Sequence, residues 1–315
     1  MTSWTLTADE YGILSIADTR AAGLTAKDVA ALTRSGELTS LSRGWYAVSS
    51  PGTPEARHVL LTRAVLRAHE GRAVAAHHSA LCLLGLPTFR ADLTTVCLSR
   101  RSPGPNRTRK GLKLGRCVPA EALGAATVVP AMAVAQAGAS CGPLAGLVAA
   151  DAALHKALCT KGDLDLALGW VRRHPGTGLL APFLELADGR HESPGETRLA
   201  HAFHLMKLSV TPQARIEDRG FLAFADFLLD DWPVVVEFDG MVKYGRKRDA
   251  VDRWGNQLTP QQVLVAEKRR EDRIRELGYQ VVRVVWSELD DPAAVARRIR
   301  AAINRARASA AIRSA

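Results

Sequence analysis

Acidic residues in the last third of the chain are spaced for metal-dependent chemistry. Asp226 lies in the apolar segment FLAFADFLL, and Glu237 and Asp239 lie two residues apart in PVVVEFDG. Strand residues at i and i+2 share a face, and a hairpin turn at DDWP pairs Asp226 with Glu237. Carboxylates this close repel one another, and a hard cation is the simplest compensation. We expect these three residues to bind Mg²⁺ or Mn²⁺, with Glu196 of the preceding helix within reach.

A divalent cation held in this way suits hydrolysis of a phosphodiester bond, because it activates water and stabilises charge on the attacked phosphate. An ammonium group near the water would assist, and Lys243 in the loop GMVKYG and Lys268 on the next helix are the two candidates. Arg269 and Arg270 are candidate phosphate ligands. A solvated charged turn of helix is the alternative interpretation of EKRRED.

The elements that must position these residues follow a regular pattern after residue 191. Periodicity predicts one helix, three strands, a helix, a strand and a final helix. In the helix from Pro260 to Leu277, the predicted core stripe consists of Val263, Leu264, Ile274 and Leu277.

Two segments here, EFDGMVKYG and AEKRREDRIRELGYQVVRVVW, resemble the PD-(D/E)xK nuclease superfamily, and specifically its very-short-patch-repair (Vsr)-like branch. The resemblance covers about residues 192 to 305. It implies a restriction-endonuclease-like α/β domain and a Mg²⁺-dependent endonuclease. This chain departs from the pattern in one respect, because Asp239 occupies the position of the lysine two residues after the second acid. Loss of catalytic activity is therefore the competing interpretation.

The N-terminal segment from residue 9 to 48 has the order helix, turn, helix and β-hairpin, which is that of a winged helix. Gly44 lies in the predicted wing turn. Lys27, Arg34 and Arg43 lie where a recognition helix and a wing would contact DNA. A small packing domain without DNA contacts is the alternative.

The middle of the chain combines helices with a basic segment. His77 and His78 are predicted to have capping or core roles, since neighbouring helix residues point apart and would not bind one metal. The Pro- and Gly-containing stretch from residue 100 to 116 is predicted to be a loop. Such a loop can follow a phosphate backbone, although a solvated hairpin tip explains it nearly as well. Its candidate DNA-binding residues are Arg100, Arg101, Arg107, Arg109 and Lys110.

The phrases AAHHSALCLLGLP, PAMAVAQAGAS and GLVAADAALHKAL, together with the predicted winged helix, resemble AbiEi-type antitoxin proteins of actinobacteria. This resemblance covers about residues 8 to 185. It implies a DNA-binding transcriptional regulator and leaves a toxin partner unknown.

Whole-chain properties fit a modular α+β protein that binds DNA. The 315 residues carry a formal net charge of +10, which favours a polyanionic partner. We expect a winged helix at 1–50, a mixed α/β helical region at 51–190 and the nuclease-like domain at 191–315. Five scattered cysteines predict buried thiols, and the lack of a signal or membrane segment predicts a cytoplasmic location without membrane contact. The sequence leaves open whether the protein forms a homodimer. The two candidate functions are a metal-dependent endonuclease and a non-enzymatic regulator with a degenerate nuclease domain.

Overall fold

The computed structural model describes residues 8–240 and 259–314. The chain forms two compact units, Met1–Ala187 and Asp188–Ala315, so the predicted boundary after residue 190 lies close to the division between them. The predicted boundary after residue 50 falls inside the first unit. Helices and three β-sheets occur together in the described residues, and a mixed α/β composition is therefore confirmed. None of the described helices is long and apolar enough to cross a membrane.

The first unit combines short strands with helices. Its strands are β1 (Ile13–Ser15), β2 (Thr39–Ser42), β3 (Trp45–Ala47), β4 (Ala73–Ala75), β5 (Val96–Arg100), β6 (Arg107–Arg109) and β7 (Leu112–Gly115). Its helices are α1 (Ile16–Ala21), α2 (Ala26–Ser35), α3 (Pro54–Ala68), α4 (His77–Leu83), α5 (Pro130–Cys141), α6 (Pro143–His155), α7 (Lys161–Val171) and α8 (Leu180–Glu185).

The N-terminal sheet has the strand order β1-β3-β2. The helix predicted from residue 9 begins only at Ile16, because the Asp9 carboxylate accepts hydrogen bonds from the backbone N–H groups of Tyr11 (3.0 Å) and Ile13 (2.9 Å) and turns the chain. The residues before the helix then form β1. Ala64 of α3 packs in one core cluster with residues of all three strands, so the first 50 residues and α3 fold together.

The second sheet has the order β4-β5-β7-β6 and lies against the alanine-rich helices α5 to α7. Its edge strand β6 pairs antiparallel with β7, and all three of its residues are exposed. The segment 100–116, which was predicted to be a loop, therefore contains an edge strand. Backbone pairing with β7 fixes β6, and a local composition rich in Pro and Gly does not reveal such pairing.

A buried histidine joins three elements of this unit. The Nδ1 atom of His58 donates to the carbonyl oxygen of Leu93 (2.8 Å), so its Nε2 atom accepts from the Ser79 hydroxyl (2.8 Å). The same hydroxyl oxygen accepts from the backbone N–H of Cys97 (2.9 Å). His78 contacts the carbonyl oxygen of Thr95 (2.8 Å), in agreement with the predicted core role.

Acid should destabilise the first unit. Burial lowers the pKa of His58 from 6.5 to about 4, and it lowers the pKa of His77 to about 4 as well. The unfolded chain therefore binds more protons between pH 6.5 and 4, and stability present above this window falls as the pH decreases through it. The loss is roughly 1.4 kcal/mol per pKa unit for each histidine.

Urea denaturation at two pH values, about 7 and about 4.5, tests this expectation. The wild-type free energy of unfolding should drop clearly at the lower pH. A His58→Gln variant should be less stable at the higher pH but should lose less on acidification. Equal losses in the two proteins would show that His58 is not one of the groups responsible.

The second unit follows the predicted order of elements. It contains α9 (Pro194–Leu205), β8 (Val210–Asp218), β9 (Phe221–Leu229), β10 (Val234–Asp239), α10 (Pro260–Glu276), β11 (Gln280–Val285) and α11 (Pro292–Ser314). The strand order is β11-β10-β9-β8, with β10 parallel to β11 and the other pairs antiparallel. Helices α9 and α11 cover the face of Phe227 and Phe238, and α10 covers the opposite face through Ile274 and Val235.

The backbone pairing between β9 and β10, the two middle strands of the second unit, is short. Among the described residues, β9 and β10 pair through Leu228 with Val235 and Phe227 with Val236, and their pairing ends there. Beyond this point β9 continues to pair with β8, and β10 continues to pair with β11. We call the stretch in which β9 and β10 continue without pairing to each other the strand gap. It places the residues that follow the last pair, Asp226 and Glu237, at a break in the backbone ladder.

Candidate functional site

Asp226 lies at the start of the strand gap. Its Oδ2 atom accepts a hydrogen bond from the backbone N–H of Phe238 at 2.7 Å. The observed pairs of β9 and β10 have the register predicted from the DDWP turn, which sets Asp226 across from Glu237. The Asp226 carboxylate thus binds β10 at Phe238, the residue between Glu237 and Asp239. Backbone pairing between β9 and β10 has already ended at this point.

Glu237 is a buried carboxylate in a strand of valines, with 7% of its surface exposed. Its Oε1 atom forms an ion pair with Nη2 of Arg270, and its Oε2 atom lies 3.8 Å from Nη2 of Arg283. Arg283 stands directly opposite Glu237 on β11 and also lies 3.8 Å from Asp239 Oδ2. Glu237 and Asp239 therefore share the face of the sheet that α10 covers, as their spacing predicts.

Helix α10 turns charged residues toward this face. Glu267, Arg270, Glu271 and the fully buried Ile274 are spaced as one side of a helix, and each of them is less exposed than its neighbours Lys268 and Arg269. The predicted core stripe is wrong at Leu264, of which 59% is exposed. The inner side of this helix is largely ionic because it faces Glu237 and Arg283.

Arg270 is held in place by several acceptors. Its Nη1 atom donates to the Phe224 carbonyl oxygen on β9 at 3.1 Å, and its Nη2 atom contacts Glu237 on β10 and Glu267 at 3.1 Å. The guanidinium therefore bridges the strand gap. Burial opposes its charge, but the charges of Glu237 and Glu267 and their hydrogen bonds outweigh burial and raise the pKa of Arg270.

These contacts form one charged network, in which Arg283 also pairs with Glu271 at 2.5 Å and with Glu267 at 3.5 Å. Glu271 also pairs with Arg275, which lies 4.0 Å from Asp272, so within the described residues the network joins five acids to three arginines. Asp226 adjoins the same strands and adds a further carboxylate. Among the described residues, the acids of the network outnumber its arginines.

Glu196 is a buried carboxylate at the start of α9. It is 2% exposed, and its carboxylate accepts from the backbone N–H of Glu192 (2.9 Å), the Ser193 hydroxyl (2.7 Å) and the Gln213 amide (3.2 Å). Helix α9 lies on the Phe238 face of the sheet, whereas Glu237 points toward α10. Glu196 secures the start of α9 against β8, and its partner Gln213 lies between Pro212 and Ala214, which pair with the two neighbours of Asp226.

The two lysine candidates have different outcomes. Lys243 lies outside the described residues. Lys268 is exposed on α10, while Glu267 and Arg270 on either side of it turn toward the sheet. The position of Lys268 does not support the predicted role beside the attacking water. Arg269 and Arg270 were the candidate phosphate ligands. Arg269 is exposed, whereas Arg270 forms an ion pair with Glu237.

The carboxylates at the strand gap have the right chemistry for Mg²⁺. Within residues 8–240 and 259–314, no group of three or more His, Cys, Asp or Glu side chains is arranged to hold a metal ion. Mg²⁺, however, commonly uses one or two carboxylates and completes its shell with water and phosphate oxygens. Asp226 and Glu237 provide two hard oxygen donors beside an acidic network. They fit such an ion, with Arg270 as a competitor for Glu237.

Sequence reasoning missed Arg283 and Glu271. The available signal was one arginine among the four valines of the strand QVVRVV, which is unusual for a strand paired to buried neighbours. The parallel register that sets Arg283 opposite Glu237 could not be read from either segment alone.

The exposed basic residues that were predicted to bind DNA form two groups in the first unit. Lys27 and Arg34 are exposed on α2, of which Val29 is the buried residue, and Arg43 is exposed in the turn between β2 and β3. The second group consists of the exposed Arg107, Arg109 and Lys110 at β6.

Two of the arginines predicted to bind DNA donate hydrogen bonds to backbone carbonyl groups of other residues in the first unit. Arg101 donates to the carbonyl oxygens of Gly124 (2.9 Å) and Ala125, and Arg100 donates to that of Pro105 (3.1 Å). These contacts stabilise the connection between β5 and β6, and they leave the residues at β6 as the better candidates for phosphate contacts.

Comparison with known proteins gives little further guidance. No protein-family model matches the sequence, and no curated protein matches it. A solved structure with some similarity is the crystal structure of RV2827C protein from Mycobacterium tuberculosis, with a TM-score of 0.35 and 17% identity over 68% of this chain and 86% of that protein. A likeness this weak carries no inference about fold or function.

Proposed function

We propose that the second unit is a restriction-endonuclease-like domain that hydrolyses phosphodiester bonds of DNA with Mg²⁺ or Mn²⁺ bound by Asp226 and Glu237. The observation that carries this proposal is the strand gap, where two carboxylates from adjacent strands stand beside a network that, among the described residues, has more acids than arginines. Sheet residues fix both donors, because Asp226 is held by the backbone of β10 and Glu237 belongs to β10 itself.

The residues at the gap have separate roles in this proposal. A bound cation would lower the pKa of its water and stabilise negative charge on the phosphate. Asp226 and Glu237 hold that position. Asp239, whose side chain is 36% exposed, lies beyond Glu237 and can accept a hydrogen bond from water. Arg269 on the outer side of α10 is available to a phosphate of the DNA backbone. Lys243 is proposed to bring an ammonium group to the attacking water.

Hydrolysis of an end-labelled DNA duplex and of the corresponding single strand tests this function. Asp226→Asn should slow Mg²⁺-dependent cleavage by at least about 100-fold, because a neutral amide oxygen binds a divalent cation more weakly than a carboxylate does. Asp230→Asn is the matched control. Asp230 lies in the exposed turn after β9, and its carboxylate accepts from the Thr211 hydroxyl at 2.8 Å. Equal cleavage by the two variants would remove Asp226 from the site.

The first unit is proposed to bind DNA through a winged helix formed by β1, α1, α2, β2 and β3. Support comes from the order of these elements and from the exposed Lys27 and Arg34 on α2 and Arg43 in the β2–β3 turn. The β6 edge would add phosphate contacts. Exposed arginines on an edge strand also discourage edge-to-edge aggregation, so a binding measurement is needed to separate the two roles.

An Arg107→Ala, Arg109→Ala double variant should bind duplex DNA more weakly than the wild type, with a salt dependence reduced by up to about two counterions. Binding isotherms at several salt concentrations measure this change. Arg101→Ala is the control, because Arg101 binds the carbonyl oxygens of Gly124 and Ala125, and it should leave the salt slope unchanged. An unchanged slope in the double variant would exclude β6 from the DNA contacts.

A second candidate function is that of a non-enzymatic, antitoxin-like DNA-binding regulator with a degenerate nuclease domain. Two observations favour it: the ion pair that engages Glu237 with Arg270, and Asp239 in the usual lysine position. This function predicts DNA binding without hydrolysis at any divalent cation concentration. The duplex assay above distinguishes the two candidates.

A further inference from the structure

Arg270 binds the Oε1 atom of Glu237, an oxygen that a cation at the strand gap would use as a ligand. Its guanidinium reaches across the gap from α10, with one nitrogen on the Phe224 carbonyl oxygen and the other on Glu237 Oε1. Asp226 lies on β9 between Phe224 and the last residue paired with β10. One fixed positive charge thus contacts both strands at the strand gap, where the two carboxylates stand.

Arg270 also has a second acid within reach. Glu267, one turn earlier on the same helix, accepts from the same Nη2 atom at 3.1 Å. If Glu237 Oε1 were released, Arg270 would keep this ion pair, and Glu237 would keep the more distant charge of Arg283 at 3.8 Å. Exchange of partners therefore leaves no isolated charge in the network, which is the condition for a low cost of breaking a buried pair.

We propose that Arg270 is an internal competitor that sets the divalent-cation affinity of Glu237: the ion pair must open before Glu237 Oε1 can bind a cation. This inference concerns the regulation of the site under Proposed function and rests on that function. A protein whose binding-competent state is only partly populated shows an apparent affinity reduced by that fraction. The Arg270–Glu237 ion pair would keep the site free of cation until the cation concentration is high enough to displace Arg270 from Glu237.

The test measures cation binding directly, without DNA and without turnover. Full-length protein stripped with EDTA is titrated with Mn²⁺, and free Mn²⁺ is followed by electron paramagnetic resonance. Arg270→Gln should bind Mn²⁺ at least about tenfold more tightly than the wild type. Arg273→Gln is the matched control, because Arg273 lies on the same helix and pairs with Asp218 and Glu276, and this variant should stay within about twofold of the wild type. A Glu237→Gln, Arg270→Gln double variant should lose the tight site.

A second variant protects the test against misfolding of Arg270→Gln. Arg270→Lys keeps the charge but has a single nitrogen, so it cannot bridge Phe224 and Glu237 in the same way. It should also bind Mn²⁺ more tightly than the wild type, by a smaller factor. Wild-type and Arg270 variants that bind Mn²⁺ equally would overturn the competitor role and leave the proposed function intact. If no variant and no wild-type protein bound Mn²⁺ at millimolar concentration, the proposed metal-dependent function would fail as well.

Discussion

Replacing Glu237 by alanine is expected to slow metal-dependent hydrolysis by at least about 100-fold and to cost less stability than its burial suggests. Loss of a cation ligand removes several kcal/mol of transition-state stabilisation, which corresponds to at least about 100-fold in rate. Breaking a buried ion pair usually costs about 3–5 kcal/mol because it leaves an unpaired charge. Here Arg270 retains Glu267 and Arg283 retains Glu271, so we expect about 2–3 kcal/mol.

Rates of plasmid or duplex hydrolysis and urea denaturation curves measure the two effects. Glu276→Ala serves as the control, because Glu276 pairs with Arg273 on the surface of α10 and 64% of its side chain is exposed. Its removal should change the free energy of unfolding by less than about 1 kcal/mol and leave hydrolysis unaffected. If Glu237→Ala behaved like Glu276→Ala in both measurements, Glu237 would have neither the structural nor the catalytic role.

Gly195→Ala should disturb the site from the opposite face of the sheet. A Cβ atom added at Gly195 would lie 2.0 Å from Cε1 of Phe238, the residue between Glu237 and Asp239. The Phe238 ring packs edge-on against Trp286 at a centroid distance of 5.1 Å, so its movement would disturb a second aromatic ring. Overpacking of this kind costs about 1–3 kcal/mol and sometimes more.

Because Phe238 must shift, β10 and the carboxylates on it should shift too, and hydrolysis should fall along with thermal stability. Gly169→Ala is a suitable control, since Gly169 lies in α7 and a Cβ atom added there would meet no neighbouring side chain or strand within 4 Å. That variant should be as stable as the wild type or slightly more stable. A stable and fully active Gly195→Ala protein would show that the position of β10 does not depend on this contact.

Local patterns predicted the elements of the second unit because each carries its own signal. The alternating strand around Asp226, the DDWP turn and the spacing of Glu237 and Asp239 led to the observed β9–β10 register and to the shared face of the two β10 carboxylates. Strand periodicity and turn residues act over a few positions, so a single sequence contains them.

Features that depend on distant pairing were missed. The placement of Arg283 requires the parallel register of β10 and β11, and the ionic inner side of α10 follows from that placement. Helix α10 was expected to bury Leu264, since a hydrophobic stripe is the usual core-facing pattern. The real core-facing side pairs charges with charges, and hydropathy alone cannot identify such a side. The strand gap also depends on distant pairing, because beyond their last shared pair β9 continues along β8 and β10 continues along β11.

Cleavage of supercoiled plasmid is the most direct test of the central claim, because one broken phosphodiester bond converts the supercoiled form into a form that separates on a gel. EDTA-stripped wild-type protein and an Asp226→Asn, Glu237→Gln double variant, purified in parallel, are incubated with plasmid and with Mg²⁺, Mn²⁺ or no metal. We predict that only the wild type, and only with metal, produces nicked or linear plasmid. Intact plasmid in every wild-type reaction, or equal conversion by the double variant, would contradict a hydrolytic centre at Asp226 and Glu237.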